Sequence, residues 1–82
     1  MTIMTVSVEI SYNPLTQDYL KAIDEFIDLL SKTDLQTDVG KMSTVITGDY
    51  GIVMKKIIKP IGVLLERYPS VFNLKISNSC PV

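Results

Sequence analysis

At 82 residues the chain is one domain, residues 1–82, because a second would have almost no core of its own. Hydrophobic residues make up 46%, which excludes disorder, and 8 basic against 9 acidic residues leave a net charge of −1, with no pull toward nucleic acid or an anionic membrane. There is no histidine, one cysteine (Cys80) and one arginine (Arg67), which removes the usual general base and zinc ligand, an internal disulfide and an arginine phosphate clamp.

The N-terminal MTIMTVSVEI has no basic region followed by a long apolar run, so it does not read as a secretory signal. The apolar stretches fall short of the ~18–20 residues that span a bilayer, so a cytoplasmic protein with no membrane insertion is expected. Ile3 to Ser11 alternates, with Val6, Val8, Ile10 and Tyr12 on one face and Thr5, Ser7, Glu9 and Ser11 on the other, the pattern of a half-buried strand. Asn13-Pro14 then reads as an N-cap followed by a first helical residue. From Leu15 to about Lys32 the residues Leu15, Tyr19, Ile23, Phe26, Ile27 and Leu30 recur at steps of three and four, which predicts an amphipathic helix.

Leu35 to Val39 is a short strand, and Gly40-Lys41 the turn into a third strand, Met42 to Thr47. Asp49 caps a second helix whose apolar stripe is Val53, Met54, Ile57, Ile61, Leu64, Leu65 and Tyr68, with Pro60 inside it removing one backbone hydrogen bond. Val71 to Ser77 alternates again, with Phe72, Leu74 and Ile76 inward. The order β-α-β-β-α-β predicts a ferredoxin-like α+β two-layer sandwich, its antiparallel sheet ordered 4-1-3-2 with both helices on one face. The expected core includes Val8, Ile10, Ile23, Phe26, Ile46, Ile57, Ile61 and Phe72. The opposite sheet face is polar and suits either solvent or a hydrated contact between subunits.

Alternation in the third strand puts Met42, Thr44 and Ile46 on one face and Ser43, Val45 and Thr47 on the other, so Thr44 brings a hydroxyl to the helix side. Such a hydroxyl either bonds nearby backbone, as most buried ones do, or belongs to a site. In this topology the end of the first strand, Ser11 and Tyr12, adjoins the start of the third, Met42, Ser43 and Thr44. Apolar walls with a few converging polar groups describe a small-molecule pocket better than a catalytic centre. Met42 and Met54 read as core filler and Lys55, Lys56 and Lys59 as a solvated face, while Cys80 has no histidine to activate it.

"VSVEISYNPLTQDYL", "MSTVITG" and "LKISNSCP" together resemble one module of the YkoF-like thiamine/hydroxymethylpyrimidine-binding proteins, over nearly the whole chain and in the same order. The resemblance implies a module that binds thiamine or its pyrimidine moiety without catalysis or a metal, in thiamine uptake or salvage. By position, Ser43-Thr44 match the family's Ser-Thr pair, Ser11 its strand-one serine, Gly48 the glycine ending strand three, and Cys80-Pro81 the tail. With Tyr12 and Met42 as apolar wall, the expected ligand-binding set is Ser11, Tyr12, Met42, Ser43, Thr44 and Gly48, and Glu9 or Asp49 could favour the thiazolium charge. Two departures stand out: Asn13 holds the family's aromatic position before the proline, and the extension after Cys-Pro is missing. The family joins two modules in tandem, so a homodimer or higher homo-oligomer of this chain is expected. The alternative is an oligomeric ferredoxin-like regulatory or interaction module with a different small effector; an acylphosphatase-like enzyme would need an arginine near the first helix, and Arg67 is at the end of the second.

Overall fold

The computed structural model describes residues 4–79, leaving Ile3 of the predicted first strand and the Cys80-Pro81 match outside. Along the chain lie β1 (Thr5–Pro14), α1 (Tyr19–Ser31), β2 (Gln36–Val39), β3 (Thr44–Asp49), α2 (Tyr50–Arg67) and β4 (Ser70–Ser77). One antiparallel sheet, ordered β2-β3-β1-β4, carries both helices on one face, the expected ferredoxin-like sandwich. Val6, Val8 and Ile10 of β1 and Ile46 of β3 meet Ala22, Phe26 and Leu30 of α1 and Val53, Ile57 and Leu64 of α2 in the core. Of the expected core, Ile23, Ile61 and Phe72 are half-buried at its margin.

The chain after β1 differs from its sequence reading. Asn13-Pro14 does not start the helix: Pro14 pairs with Ser70 in the sheet, and the Leu15 N–H donates to the Pro69 carbonyl at 2.7 Å. Pairing of β1 with β3 stops at Ile10, so beyond it β1 has β4 on one side only, and an N–H missing from the open side costs the sheet nothing. The helix begins four residues later than Leu15, at Tyr19, and both of these side chains are exposed rather than part of the buried stripe. The second helix starts as expected: the Asp49 carboxylate accepts from the Ile52 N–H at 3.2 Å. Pro60 is buried inside α2, leaving the Lys56 carbonyl without its usual intrahelical partner.

Met42 is a second difference. It sits in the β2–β3 turn before β3 begins, 89% exposed, rather than on the inward face of a strand. The turn is closed by the Gly40 N–H donating to the Ser43 carbonyl at 2.9 Å, so tight that a Cβ on Gly40 would stand 3.0 Å from that oxygen. The third difference lies at β4. Leu74 and Ile76 do share the helix side with their partners Ile10 and Val8, yet they remain 38% and 44% exposed because the helices stop short of this edge.

Candidate functional site

Between α1 and the ends of β1–β3 lies a recess of about 70 Å³, lined by Ile10, Tyr12, Ile23, Phe26 and Ile27 and closed by the 39–44 turn. Four of the predicted residues meet there: Tyr12 in the wall, Met42 at the rim, Thr44 in the floor, and Ser43 beside it with its hydroxyl turned away. Thr44 is buried, at 6% exposure, and its hydroxyl makes no hydrogen bond to any described residue. No side-chain oxygen or nitrogen among the described residues is both sealed from solvent and unpartnered, so this hydroxyl reaches the recess. Alternation on β3 carries it there, and the β1 register, Ile10 opposite Thr44, places it beside the strand end that carries Tyr12.

The wall is rigid. Tyr12 stacks on Phe72 with ring centroids 4.3 Å apart, and Phe26 of α1 meets both edge-on at 5.4 and 5.2 Å. The Tyr12 hydroxyl lies 3.1 Å from the Ser70 hydroxyl, which in turn donates to the Tyr68 carbonyl. Phe72 and Phe26 were assigned to the core by their periodicity; Phe26 lines the recess from α1, and Phe72 backs Tyr12 through their cross-strand pairing, which alternation alone does not specify.

Ser11 and Gly48 lie elsewhere, and Ser43 directs its hydroxyl elsewhere. Ser11 falls on the other face of the sheet, opposite Asn73. Ser43 contributes to the lining of the recess, but its hydroxyl turns to that far face and donates to Glu9 at 3.3 Å, and Glu9 also pairs with Lys75 at 3.9 Å. Gly48 pairs with Val6 at the opposite end of β3, where a Cβ would stand 3.1 Å from Val53, so its small size lets α2 close on the sheet. Glu9 and Asp49 are both engaged away from the recess, the latter as the α2 cap, so neither carboxylate faces an occupant. The ionisable group at the mouth is Lys41.

A second hollow, about 250 Å³, lies between the helices on the outer side, with Leu29, Pro60 and Val63 as its floor and Lys32, Lys56 and Lys59 around it. Lys56 donates to the Thr33 carbonyl at the C-terminus of α1 at 3.1 Å, and Lys32 pairs with Asp28 at 3.2 Å. Lys56 and Lys59, read from sequence as a solvated face, thus border a concave surface. Nearby, Arg67 and Tyr68 of the α2 end both donate to Glu25 of α1, at 3.2 and 3.0 Å. Partial burial, then that Glu25 carboxylate, raise the Tyr68 pKa above its ordinary 10.0.

No group of three or more potential metal ligands occurs among the described residues, and no helix there is long and apolar enough to cross a membrane. What the fold and recess define is a ferredoxin-like α+β module with a small cleft, apolar on its α1 and β1 side and polar at its turn, floored by the Thr44 hydroxyl. Solved structures of this shape exist. A Thermotoga maritima protein assigned provisionally to thiamine biosynthesis or salvage superposes with a TM-score of 0.80 at 24% identity, over 89% of this chain and 82% of its own. A Streptococcus pneumoniae protein gives 0.84 at 25% identity, over 90% of this chain and 86% of its own. A domain of unknown function (DUF77) from Bacillus cereus gives 0.78 at 19% identity, over 98% and 83%. No family model matches the sequence, and no curated protein does.

Proposed function

We propose that the protein is a non-catalytic binding protein of the YkoF-like type for thiamine or its hydroxymethylpyrimidine moiety, serving thiamine uptake or salvage. The observation that carries this reading is the Thr44 hydroxyl, on a residue buried to 6% exposure, without a protein partner, and opening into a recess walled by Ile10, Tyr12, Ile23, Phe26 and Ile27. A hydroxyl with no protein partner that still reaches the recess bonds water there and can exchange that water for a ligand. An aminopyrimidine presents an amine donor and ring-nitrogen acceptors, and a hydroxyl can serve either. The aromatic wall suits a flat heterocycle. The fold shared with the Thermotoga maritima protein points the same way.

Within that pair of ligands the chemistry favours the neutral pyrimidine. Lys41 stands at the mouth and no carboxylate lines the recess, so the thiazolium charge of thiamine gains nothing inside. At about 70 Å³ the recess is about half the size of a cavity that encloses a benzene-sized ring (~150 Å³), so a pyrimidine either projects through its mouth or shifts the 40–43 turn. Met42 and Lys41, both exposed, leave little packing to lose there.

A second reading, an interaction module with a different effector, draws on the larger hollow. Its three lysines over an apolar floor suit an anionic amphiphile rather than a thiamine-like compound. Thermal shift with thiamine, hydroxymethylpyrimidine, amino acids and aryl carboxylates separates the two. Ligand at 100 times its Kd adds about 2.7 kcal/mol, which raises Tm by roughly 10 °C or more in a domain of this size. Stabilisation by hydroxymethylpyrimidine is expected; a response to the carboxylates alone would favour the second reading.

A further inference from the structure

The two neighbours of β1 accompany it for different distances. Backbone groups of successive strand residues point to opposite neighbours, and two bonds at the ends of β1 show which residues face which. The Leu15 N–H donates to the Pro69 carbonyl at 2.7 Å, in register with the β4 ladder, so the odd-numbered residues of β1 address β4. The Met4 carbonyl accepts from the Tyr50 N–H at 2.8 Å, in register with the β3 ladder, so the even-numbered residues address β3.

The β3 ladder ends where Ile10 meets Thr44, because the Gly40–Ser43 bond turns the chain back toward β2 before it reaches Tyr12. A longer β3 would set Met42 opposite Tyr12, yet Met42 stands in the turn, 89% exposed. The Tyr12 N–H and C=O therefore face the side of the 40–43 turn with no strand opposite, and no side chain of the described residues bonds them. Pro14, the next residue to face that way, has a carbonyl but no N–H. Over residues 11–14 this edge thus carries a single donor, with an acceptor on the same residue. One N–H in four residues is too little to seat another strand, which needs a row of them. It suffices for one small ring. The edge is also held in place, since Ser11 and Asn13 on either side of Tyr12 pair with Asn73 and Val71 of β4.

We infer that the Tyr12 N–H and C=O are the recognition edge of the recess, and that they select a flat heteroaromatic ring bearing a ring-nitrogen acceptor next to an exocyclic amine. This rests on the binding function proposed above and adds to it the group that reads the ring. The ring nitrogen accepts from the Tyr12 N–H, and the adjacent amine donates to the Tyr12 carbonyl. Hydroxymethylpyrimidine presents this order of acceptor and donor at N3 and its 4-amino group. The ring takes the place opposite Tyr12 that β3 vacates, about 5 Å from β1 at ordinary strand spacing. Thr44, paired with Ile10 one step along the same ladder, floors the recess beside that place, and its hydroxyl is left for a second polar group of the ligand. A ring that lacks either member of the pair leaves one Tyr12 backbone group facing an apolar edge, which is how the site discriminates.

The test combines calorimetric titration of ring analogues with amide NMR of the whole chain. Hydroxymethylpyrimidine should move the Tyr12 amide proton downfield and slow its exchange, while the Ser11 and Asn13 amides, held by β4, keep their protection. Removing the 4-amino group, or replacing N3 by C–H, should each weaken binding roughly 3- to 10-fold. A chain synthesised with an ester in place of the Tyr12 amide should bind hydroxymethylpyrimidine more weakly by the same factor and should no longer distinguish N3 from C–H. The same ester at Ser11, whose N–H lies in the β4 ladder, should cost more stability than the one at Tyr12. Binding by the wild type with an unmoved Tyr12 amide, or with equal affinity for the N3 and C–H rings, would overturn this inference and leave the ligand reading standing. Absence of binding to the wild type would overturn both.

Discussion

At one end of β3, Gly48 lies so close under α2 that a Cβ would come within 3.1 Å of Val53, and the space is filled. At the other end, four residues and about 13 Å away, Thr44 opens on a recess whose roof is a turn with little packed against it. The same strand is thus sealed at its C-terminal end and left accessible at its N-terminal end. The difference comes from connection. Asp49 passes directly into α2 and pulls that helix onto the sheet, whereas the β2–β3 turn ends short of α1. Of the two ends, the accessible one is where the proposed ligand would sit.

Substitutions along β3 should reproduce this gradient. Ile46→Ala, at the sealed centre, should lose about 2–5 kcal/mol in urea unfolding, as truncation of a fully buried aliphatic side chain does. Gly48→Val should cost about 1–3 kcal/mol by overpacking against Val53, with ligand affinity unaltered. Thr44→Val should leave stability unchanged or raise it by up to about 1 kcal/mol, because an apolar group of the same shape replaces an unbonded hydroxyl. A marked loss there would mean that the hydroxyl supports the fold and that the two ends of β3 are alike.

The smallest effect belongs to the helix pair beside the open end. With the Tyr68 pKa raised above 10.0 in the folded protein, folding favours the protonated hydroxyl. Its contribution is complete below about pH 10 and lost as the pH climbs through the folded value. Urea midpoints measured from about pH 8 to pH 11.5 should fall more steeply in the wild type than in Tyr68→Phe; parallel curves would contradict it.

Much of this was legible in the chain. Period-two alternation placed Val6, Val8 and Ile10 on one face, put Thr44 inward with Ile46, and sent Ser11 and Ser43 to the other side. Grouping Ser11 and Gly48 with Thr44 came from family position, and the pairing register separates them. The start of α1 misread because Asn13-Pro14 has the local chemistry of a helix start, while β4, 56 residues further on, keeps Pro14 in the sheet. Alternation also names a face without saying whether anything covers it. That is why Leu74 and Ile76 read as inward, do lie on the helix side, and are still exposed.

The most direct measurement is calorimetric titration of hydroxymethylpyrimidine into the wild type and Thr44→Val, with urea unfolding of the same samples. A hydrogen bond between neutral groups is worth about 0.5–1.5 kcal/mol, so the variant should bind roughly 3- to 10-fold more weakly at equal or greater stability. Equal affinity in the two proteins, or no binding to the wild type, would contradict a ligand role for Thr44.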